Sequence, residues 1–209
     1  MTNKNIPTGT IFLFGLFLLV MLLTYIMMKP QAQPPKELMG VLRPDFKQLQ
    51  PFKLTDHNNT PFNETNLKGK WTFVFFGYTS CPDICPNTLS VLNSVQNTVE
   101  DESAADMQVL FVSVDPERDT SQKLASYMTY FNKKFTGVTA DKAEIDKLAL
   151  QFGAGYALEP ETAAGKYLVA HTSAIFLVDP SGRLVASFSQ PHYPETIISL
   201  FDKIRAFFS

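Results

Sequence analysis

The chain has 209 residues, 45% of them hydrophobic, and a formal net charge of -2. That length and composition suit one globular domain with a short appendage. The charge balance predicts no strongly basic surface, which excludes nucleic acid as a partner, and no acidic run indicates a disordered tail. No repeat or low-complexity tract is visible, which excludes a repeat array.

The first feature along the chain is an apolar run, Ile11–Met28, of eighteen residues without a charge. As a helix it would extend about 27 Å, close to the thickness of a bilayer's hydrocarbon core. We therefore predict one transmembrane helix over residues 11–28, preceded by a short head of residues 1–10.

A cleaved signal peptide is the competing interpretation of this run. The apolar region of a signal peptide is normally about 7–15 residues long and ends at a small-x-small cleavage site. Here the run is longer and leads into Lys29-Pro30-Gln31 without such a site, so we expect an uncleaved anchor. The flanking positive charges do not favour an exported domain, but large domains are translocated largely regardless of charge.

Residues 29–50 are polar and proline-bearing, which predicts a linker, so the folded domain is expected over residues 51–209. Alternating apolar and polar residues around a polar turn predict a first hairpin between residues 52 and 62. Trp71–Phe76 is aromatic and β-branched, as in a buried central strand. The apolar stripe of Leu89–Val99 then predicts a helix.

The rest of the domain continues this alternation. A strand is predicted at Met107–Val114, and Asp119 with Gln122 has the form of an N-terminal helix cap for a helix ending at Phe131. The later predicted elements are a helix over Lys142–Phe152, a hairpin of Ser173–Val178 and Leu184–Phe188, and a closing helix over Pro194–Phe208. This order predicts an α/β fold, a thioredoxin-like mixed sheet flanked by helices.

The two cysteines, Cys81 and Cys85, lie in the segment CPDICP between the predicted central strand and the next helix. Ligands bind at this carboxyl edge of open α/β sheets. The helix N-terminus favours thiolates, which serve a soft metal ion and disulfide exchange equally well. A purely structural disulfide is disfavoured, because closing so short a loop adds little stability.

A third donor would have to come from one of three histidines. His57 lies in a polar turn, where we expect it to be solvated, and His192 lies ahead of the last helix, in a surface or capping position. His171 follows a polar, glycine-bearing segment, residues 153–166, and precedes a core strand. In a thioredoxin-like fold, the loop before that strand packs beside the loop that carries the cysteines. The residues alone leave His171 open as a ligand or as a core or capping histidine.

Two thiolates and one imidazole would form a three-coordinate site that suits Cu(I), whereas zinc usually takes four ligands and no fourth is evident. Asp83 and Asp115 are expected near this site, in supporting, partner-docking or, for Asp115, capping roles. Phe75 and Tyr78 are expected to form its apolar wall.

Three segments together resemble the Sco/SenC family of copper-delivery proteins over residues 51–207. They are FFGYTSCPDICP at Phe75–Pro86, VSVDPERDT at Val112–Thr120, and His171 ahead of SAIFLVDPSG at Ser173–Gly182. The resemblance implies that Cys81, Cys85 and His171 bind a copper ion. The soft donors favour Cu(I), with Cu(II) also open.

The same resemblance implies how the protein works in the cell. Its partners would be the copper-accepting subunit of cytochrome c oxidase and an upstream copper donor or reductant. The family also implies a membrane anchor, with the C-terminal domain outside the cytoplasm. No arginine-rich transit region precedes the anchor, so we expect the bacterial cytoplasmic membrane, crossed once, with the domain on the periplasmic side.

Two enzymatic alternatives compete with copper delivery. A thiol–disulfide oxidoreductase would use Cys81 and Cys85 to reduce the cysteines of the oxidase copper site. Against it, the spacing is C-x-x-x-C, and thioredoxins place a cis-proline where this chain has Thr172 or Ser173. A peroxidase of the peroxiredoxin type is disfavoured, because Thr79 lies two residues before Cys81 rather than three.

Overall fold

The computed structural model describes residues 8–27, 33–103, 107–161 and 167–208, with the side chains of residues 8–12, 26–27 and 100–103 left aside. The chain divides into two compact units, residues 1–35 and residues 36–209. The first unit contains helix α1, Thr8–Met27, whose described side chains are all exposed. Among the described residues, no helix has both the length and the apolar character needed to cross a membrane.

The second unit is built on an eight-stranded mixed sheet. In chain order its strands are β1 Leu42–Gln48, β2 Leu54–Asp56, β3 Pro61–Phe62, β4 Trp71–Gly77, β5 Met107–Ser113, β6 Thr136–Thr139, β9 Ile175–Val178 and β10 Arg183–Phe188. Their order across the sheet is β1-β10-β9-β4-β5-β6-β2-β3. The predicted mixed sheet flanked by helices is confirmed.

Strand β4 is the central strand that its sequence predicts, since all seven of its residues are buried. It pairs in parallel with β5 and antiparallel with β9. The hairpins β2–β3 and β9–β10 also lie where the alternation predicts them. The carboxyl ends of β4 and β5 therefore lie side by side, and this edge of the sheet carries the site described below.

Helices cover both faces of the sheet. Successive side chains of β4 point to opposite faces, and because all of them are buried, both faces need a covering layer. The helices of this unit are α2 Ile84–Ser103, α3 Ser121–Phe131, α4 Lys142–Phe152 and α5 Pro194–Phe208. Phe73 packs against Phe201 of α5, with ring centroids 5.1 Å apart. Phe76 packs against Phe152 of α4 on the other face, at 5.3 Å.

Two predictions of local structure were wrong. The predicted linker of residues 29–50 contains strand β1, which pairs with β10 at one edge of the sheet. Its sequence is polar because an edge strand is half exposed and needs few apolar residues. Helix α3 is capped by Thr120, whose side chain accepts from the N–H of Lys123, and not by Asp119.

A short hairpin outside the main sheet was not predicted. Its strands are β7, Tyr156–Leu158, and β8, Val169–His171. They pair antiparallel with each other as a separate two-stranded sheet. We refer to residues 156–171 as the histidine hairpin, because His171 ends its second strand; residues 162–166 lie outside the described residues.

Candidate metal centre

The two cysteines lie where β4 ends and α2 begins, in a segment that we call the cysteine loop, residues 78–85. Cys81 is half-buried in the loop, and Cys85 is fully buried in the first turn of α2. The backbone N–H of Cys85 donates to Sγ of Cys81 at 3.5 Å. The sulfur of Cys81 therefore accepts one of the N–H groups that a helix N-terminus leaves without an intrahelical partner.

Gly77, the last residue of β4, allows the buried sulfur to approach the strand. A Cβ atom at this position would lie 2.7 Å from Sγ of Cys85 and 2.8 Å from the ring of Phe111. Both distances are shorter than van der Waals contact allows, so a side chain here would displace the sulfur or the ring. Glycine at this position is thus explained by close packing.

His171 completes the group from the end of β8. Its Nε2 lies 3.5 Å from Sγ of Cys85. The ligand atoms of Cys81, Cys85 and His171 all lie within 4.8 Å of one another. Nδ1 of His171 lies 3.1 Å from the carbonyl oxygen of Thr172, which can only accept, so Nδ1 donates to it and Nε2 is the ring nitrogen that faces the sulfurs.

The two thiols differ in their electrostatics. The hydrogen bond from the Cys85 thiol, followed by one from His171, holds the pKa of Cys81 well below its usual range. The same bond to Cys81, together with burial, raises the pKa of Cys85. At neutral pH the pair therefore holds one thiolate and one thiol. Binding of a cation by both sulfurs releases the proton of Cys85.

Aromatic rings surround the imidazole, as predicted for Phe75 and Tyr78. The centroid of Phe75 lies 5.8 Å and that of Tyr78 5.9 Å from the ring of His171, both edge to face. Tyr78 is almost fully buried, and this burial raises the pKa of its hydroxyl. The rings restrict the orientation of the imidazole and the access of water.

Asp119 positions the cysteine loop, a role that the sequence did not predict. Its carboxylate is fully buried and accepts from the N–H of Thr79 at 2.8 Å and from the hydroxyl of Ser113 at 2.7 Å. It also accepts from the hydroxyl of Thr79 and from Lys123. Residues before Cys81 are thereby tied to the end of β5 and the start of α3.

The two other acidic residues expected near the site contribute in different ways. The backbone of Asp83 hydrogen-bonds to Cys81, and its exposed carboxylate accepts from Asn87 at 2.6 Å. Asp115 is 2% exposed and accepts from Arg118 and from the hydroxyl of Tyr167. Asp115 therefore connects the edge of the sheet to the histidine hairpin.

The remaining histidines do not join the group. His57, expected to be solvated, is half-buried and accepts from the N–H of Gly137 through Nδ1 at 3.0 Å. Nε2 of His192 lies 3.1 Å from the carbonyl oxygen of Phe188, and burial lowers its pKa. Among the described residues, Cys81, Cys85 and His171 are the one group of three or more such donors that could hold a metal ion.

The donor set fits a soft cation. Two sulfurs and one imidazole nitrogen converge, and the lowered pKa of Cys81 favours its thiolate form. Such a set suits Cu(I), which accepts low coordination numbers, better than a closed tetrahedral zinc site, which takes four ligands. The same two sulfurs lie close enough for thiol–disulfide chemistry.

Several known proteins are similar to this chain over most of its length. The "Protein SCO1 homolog, mitochondrial" of Homo sapiens is 33% identical over 67% of this chain, although the match spans only 47% of that protein. An SCO2-like protein of Rickettsia prowazekii is 33% identical over 81% of this chain and 84% of its own length. The crystal structure of Arabidopsis thaliana ScoI with copper bound has a TM-score of 0.70 and 34% identity, and the match covers 75% of this chain and 98% of that one.

These similarities extend over the domain rather than over one motif. The profile of the SCO1/SenC family matches residues 42–206, which include both cysteines, the aspartates behind them and the histidine hairpin. The match begins at Leu42, the first residue of β1, so it also includes the edge strand whose polar sequence predicts a linker. The chain belongs to the SCO1/SenC family.

Proposed function

We propose that this protein binds copper through Cys81, Cys85 and His171 and delivers it to a subunit of cytochrome c oxidase during assembly. The convergence of two sulfurs and one imidazole nitrogen within 4.8 Å carries the proposal. Membership of the SCO1/SenC family and a relative with copper bound support it. The soft donors favour Cu(I) over Cu(II) as the form carried.

Delivery requires that the copper ion leave as readily as it arrives. Cu(I) exchanges between thiolates, so the cysteines and histidines of an acceptor replace Cys81, Cys85 and His171 one at a time, with no change in oxidation state. Cys81 is half-exposed and lies in a loop, whereas Cys85 is buried. The acceptor therefore approaches from the side of Cys81 and His171.

A thiol–disulfide oxidoreductase is the second candidate, and one observation favours it. Cys81 has a lowered pKa and is partly exposed, as an attacking thiolate must be, and Cys85 lies beside it as the resolving thiol. The thiolate would attack a disulfide of the acceptor, and Cys85 would release the reduced acceptor by closing the Cys81–Cys85 bond. Such exchange needs no metal ligand at position 171, and His171 would act in it only through its smaller effect on the pKa of Cys81.

An anaerobic Cu(I) titration with a competing chelator separates the two functions. The wild type is expected to bind one equivalent tightly, and Cys85→Ser to lose affinity by more than about a hundredfold, since it removes a ligand rather than a neighbour of one. His171→Ala should bind more weakly and deliver less copper to an acceptor peptide. His57→Ala is the matched control and should behave as the wild type.

Two outcomes would reject copper delivery. One is a wild type that does not bind tightly at one equivalent, and the other is a His171→Ala variant that binds and delivers as well as the wild type. Reduction of an oxidised acceptor peptide is measured in parallel. Full reductase activity in His171→Ala, together with unchanged copper delivery, would favour the oxidoreductase.

We further propose that Ile11–Met28 anchors the protein in a bacterial cytoplasmic membrane with the domain on the periplasmic side. The support is the uncharged run of eighteen apolar residues in the sequence. The full-length chain should remain with the membrane fraction after alkaline carbonate extraction. A Leu18→Arg, Leu22→Arg double variant should be released, and release of the wild type would reject the anchor.

A further inference from the structure

The described strands of the histidine hairpin have no partner strand in the main sheet. Its strands β7 and β8 have three residues each and pair only with each other. Leu158 and Leu168 are largely exposed, and Val169 of β8 is the described hairpin residue that is buried in the core. Because His171 ends β8, the position of this ligand depends on the contacts that join the hairpin to the main sheet.

Arg118, in the loop after β5, supplies two of these contacts, both to Tyr167. Its Nη1 donates to the carbonyl oxygen of Tyr167 at 2.9 Å. The carbon of its guanidinium group lies 3.5 Å from the centroid of the Tyr167 ring, in a stacked cation–π contact. One side chain thus holds both the backbone and the ring of Tyr167, which lies two positions before β8.

Asp115 makes this contact rigid. Nε of Arg118 donates to one carboxylate oxygen of Asp115, and the hydroxyl of Tyr167 donates to the other at 2.8 Å. Asp115 is 2% exposed, so its charge cannot rely on water and requires these two donors. The hairpin, the loop after β5 and the guanidinium group are therefore joined in a closed ring of contacts.

The same arginine also reaches the metal centre through Tyr78. Its guanidinium carbon lies 5.6 Å from the centroid of the Tyr78 ring. Tyr78 packs edge to face on His171 and lies three residues before Cys81. Arg118 consequently contacts the cysteine loop on one side and the histidine hairpin on the other.

We propose that Arg118 is a positioning residue that holds His171 against the two cysteines by clamping the histidine hairpin through Tyr167 and Asp115. The proposal deepens the copper function and rests on it for its effect on affinity, but the clamp itself is a property of the metal-free protein. Loss of the clamp allows the hairpin to open, which costs affinity only through the imidazole.

The test uses three variants of the full-length chain. Arg118→Lys keeps the charge beside Asp115 but loses the planar stack and the forked donors. Tyr167→Phe removes only the hydroxyl and is the gentler change. Arg183→Lys is the control, because Arg183 is also paired with a 2% exposed aspartate, Asp179, at the opposite edge of the sheet.

Hydrogen exchange of the metal-free protein reports on the clamp directly. The amides of Glu159 and Thr172, which donate to Leu168 and Gly155 at 2.8 Å, should exchange about tenfold faster in Arg118→Lys, as expected for loss of one charged hydrogen bond. Tyr167→Phe should show a smaller increase. The amides of β4 and β5 should be unchanged in both, and Arg183→Lys should leave the hairpin unchanged.

Copper affinity is then measured with and without the histidine. Arg118→Lys should weaken Cu(I) binding about tenfold in the wild-type background and not at all in His171→Ala, because the clamp acts through the imidazole. Unchanged hairpin exchange, or an equal loss of affinity in both backgrounds, would overturn the proposal. If the wild type binds no Cu(I), the copper function is rejected, and the hydrogen-exchange rates of the hairpin amides alone test the clamp. If Arg118→Lys does not fold, the same measurements on Tyr167→Phe test it.

Discussion

The cysteine loop and the histidine hairpin supply the donors of one site from different settings. The cysteine loop connects a fully buried strand, β4, to the long helix α2, and Asp119 ties it to the end of β5. The hairpin lies outside the main sheet and has exposed leucines. The two cysteines are therefore held by the core of the domain, whereas His171 lies on a hairpin outside the main sheet.

This difference separates two tasks of a site that must bind and then release. Because the core holds both cysteines, two sulfur ligands for a soft metal ion stay in place at all times. An imidazole on a hairpin outside the main sheet can leave without disturbing the fold, because local opening costs far less than global unfolding. We therefore expect substitutions in the cysteine loop to lower the free energy of unfolding. Substitutions in the histidine hairpin should change copper binding with little effect on that free energy.

The largest effect on stability is expected from Asp119→Ala. Its removal leaves the N–H of Thr79 and the hydroxyl of Ser113 without their buried acceptor, so the free energy of unfolding should fall by about 3 kcal/mol. Urea denaturation measures this value. Asp141→Ala, which removes an exposed helix cap, should cost about 1 kcal/mol. Equal costs for the two variants would contradict a special role of Asp119.

The next prediction concerns the pH dependence of Cys81. Its thiolate should react with iodoacetamide at a rate that is nearly constant from about pH 5 to about pH 8, because its pKa lies below that interval. In Cys85→Ala the pKa should rise towards that of an ordinary thiol, so the rate should fall steeply as the pH is lowered. His171→Ala should raise the pKa less, since its hydrogen bond contributes less than that of Cys85.

Mass spectrometry of the reduced, metal-free protein measures this reaction at residue 81. His57→Ala serves as the control and should match the wild type. A larger rise in the pKa of Cys81 in His171→Ala than in Cys85→Ala would contradict this prediction. The histidine hairpin rather than the cysteine loop would then determine the charge of the Cys81 sulfur. A wild-type rate that rises steeply up to pH 8 would contradict the lowered pKa itself.

Gly77→Ala is expected to have an intermediate effect. The added methyl group would overlap with Sγ of Cys85 and with the ring of Phe111, and overpacking of this kind costs about 1–3 kcal/mol. The free energy of unfolding and the Cu(I) affinity should fall together, because the displaced atom is a ligand. Gly40→Ala, where a Cβ meets no atom within 4 Å, is the control and should change neither. Wild-type affinity in Gly77→Ala would show that the sulfur can shift freely.

Hydrophobic periodicity in the sequence predicted the buried strand β4 and the position of the two cysteines, because neighbouring residues determine both. β4 is apolar because it is buried on both faces, and the position of the cysteines at its end follows from that strand and the next helix. Asp119 was misassigned because an aspartate followed by a threonine offers two possible helix caps. Its actual partner, Thr79, lies 40 residues away and leaves no local signal.

The third ligand shows the same limit more clearly. His171 and Cys85 are 86 residues apart, and no spacing rule joins them. The residues alone left His171 undecided, and only the resemblance to the Sco/SenC family selected it. The histidine hairpin itself was missed because two strands of three residues carry too short an alternation to be distinguished from a loop.

The smallest effect is expected from Thr172→Val at the base of the hairpin. The hydroxyl of Thr172 accepts from the N–H of Gly155 at 2.9 Å, and its carbonyl oxygen accepts from the imidazole of His171. Valine keeps the shape and loses the hydroxyl, which should cost about 1 kcal/mol locally and about fivefold in Cu(I) affinity. Thr98→Val removes a helical hydroxyl on an exposed surface and should leave the affinity unchanged. Unfolding measured by urea should barely distinguish the two variants, whereas a large loss of global stability in Thr172→Val would mean that the hairpin belongs to the cooperative core.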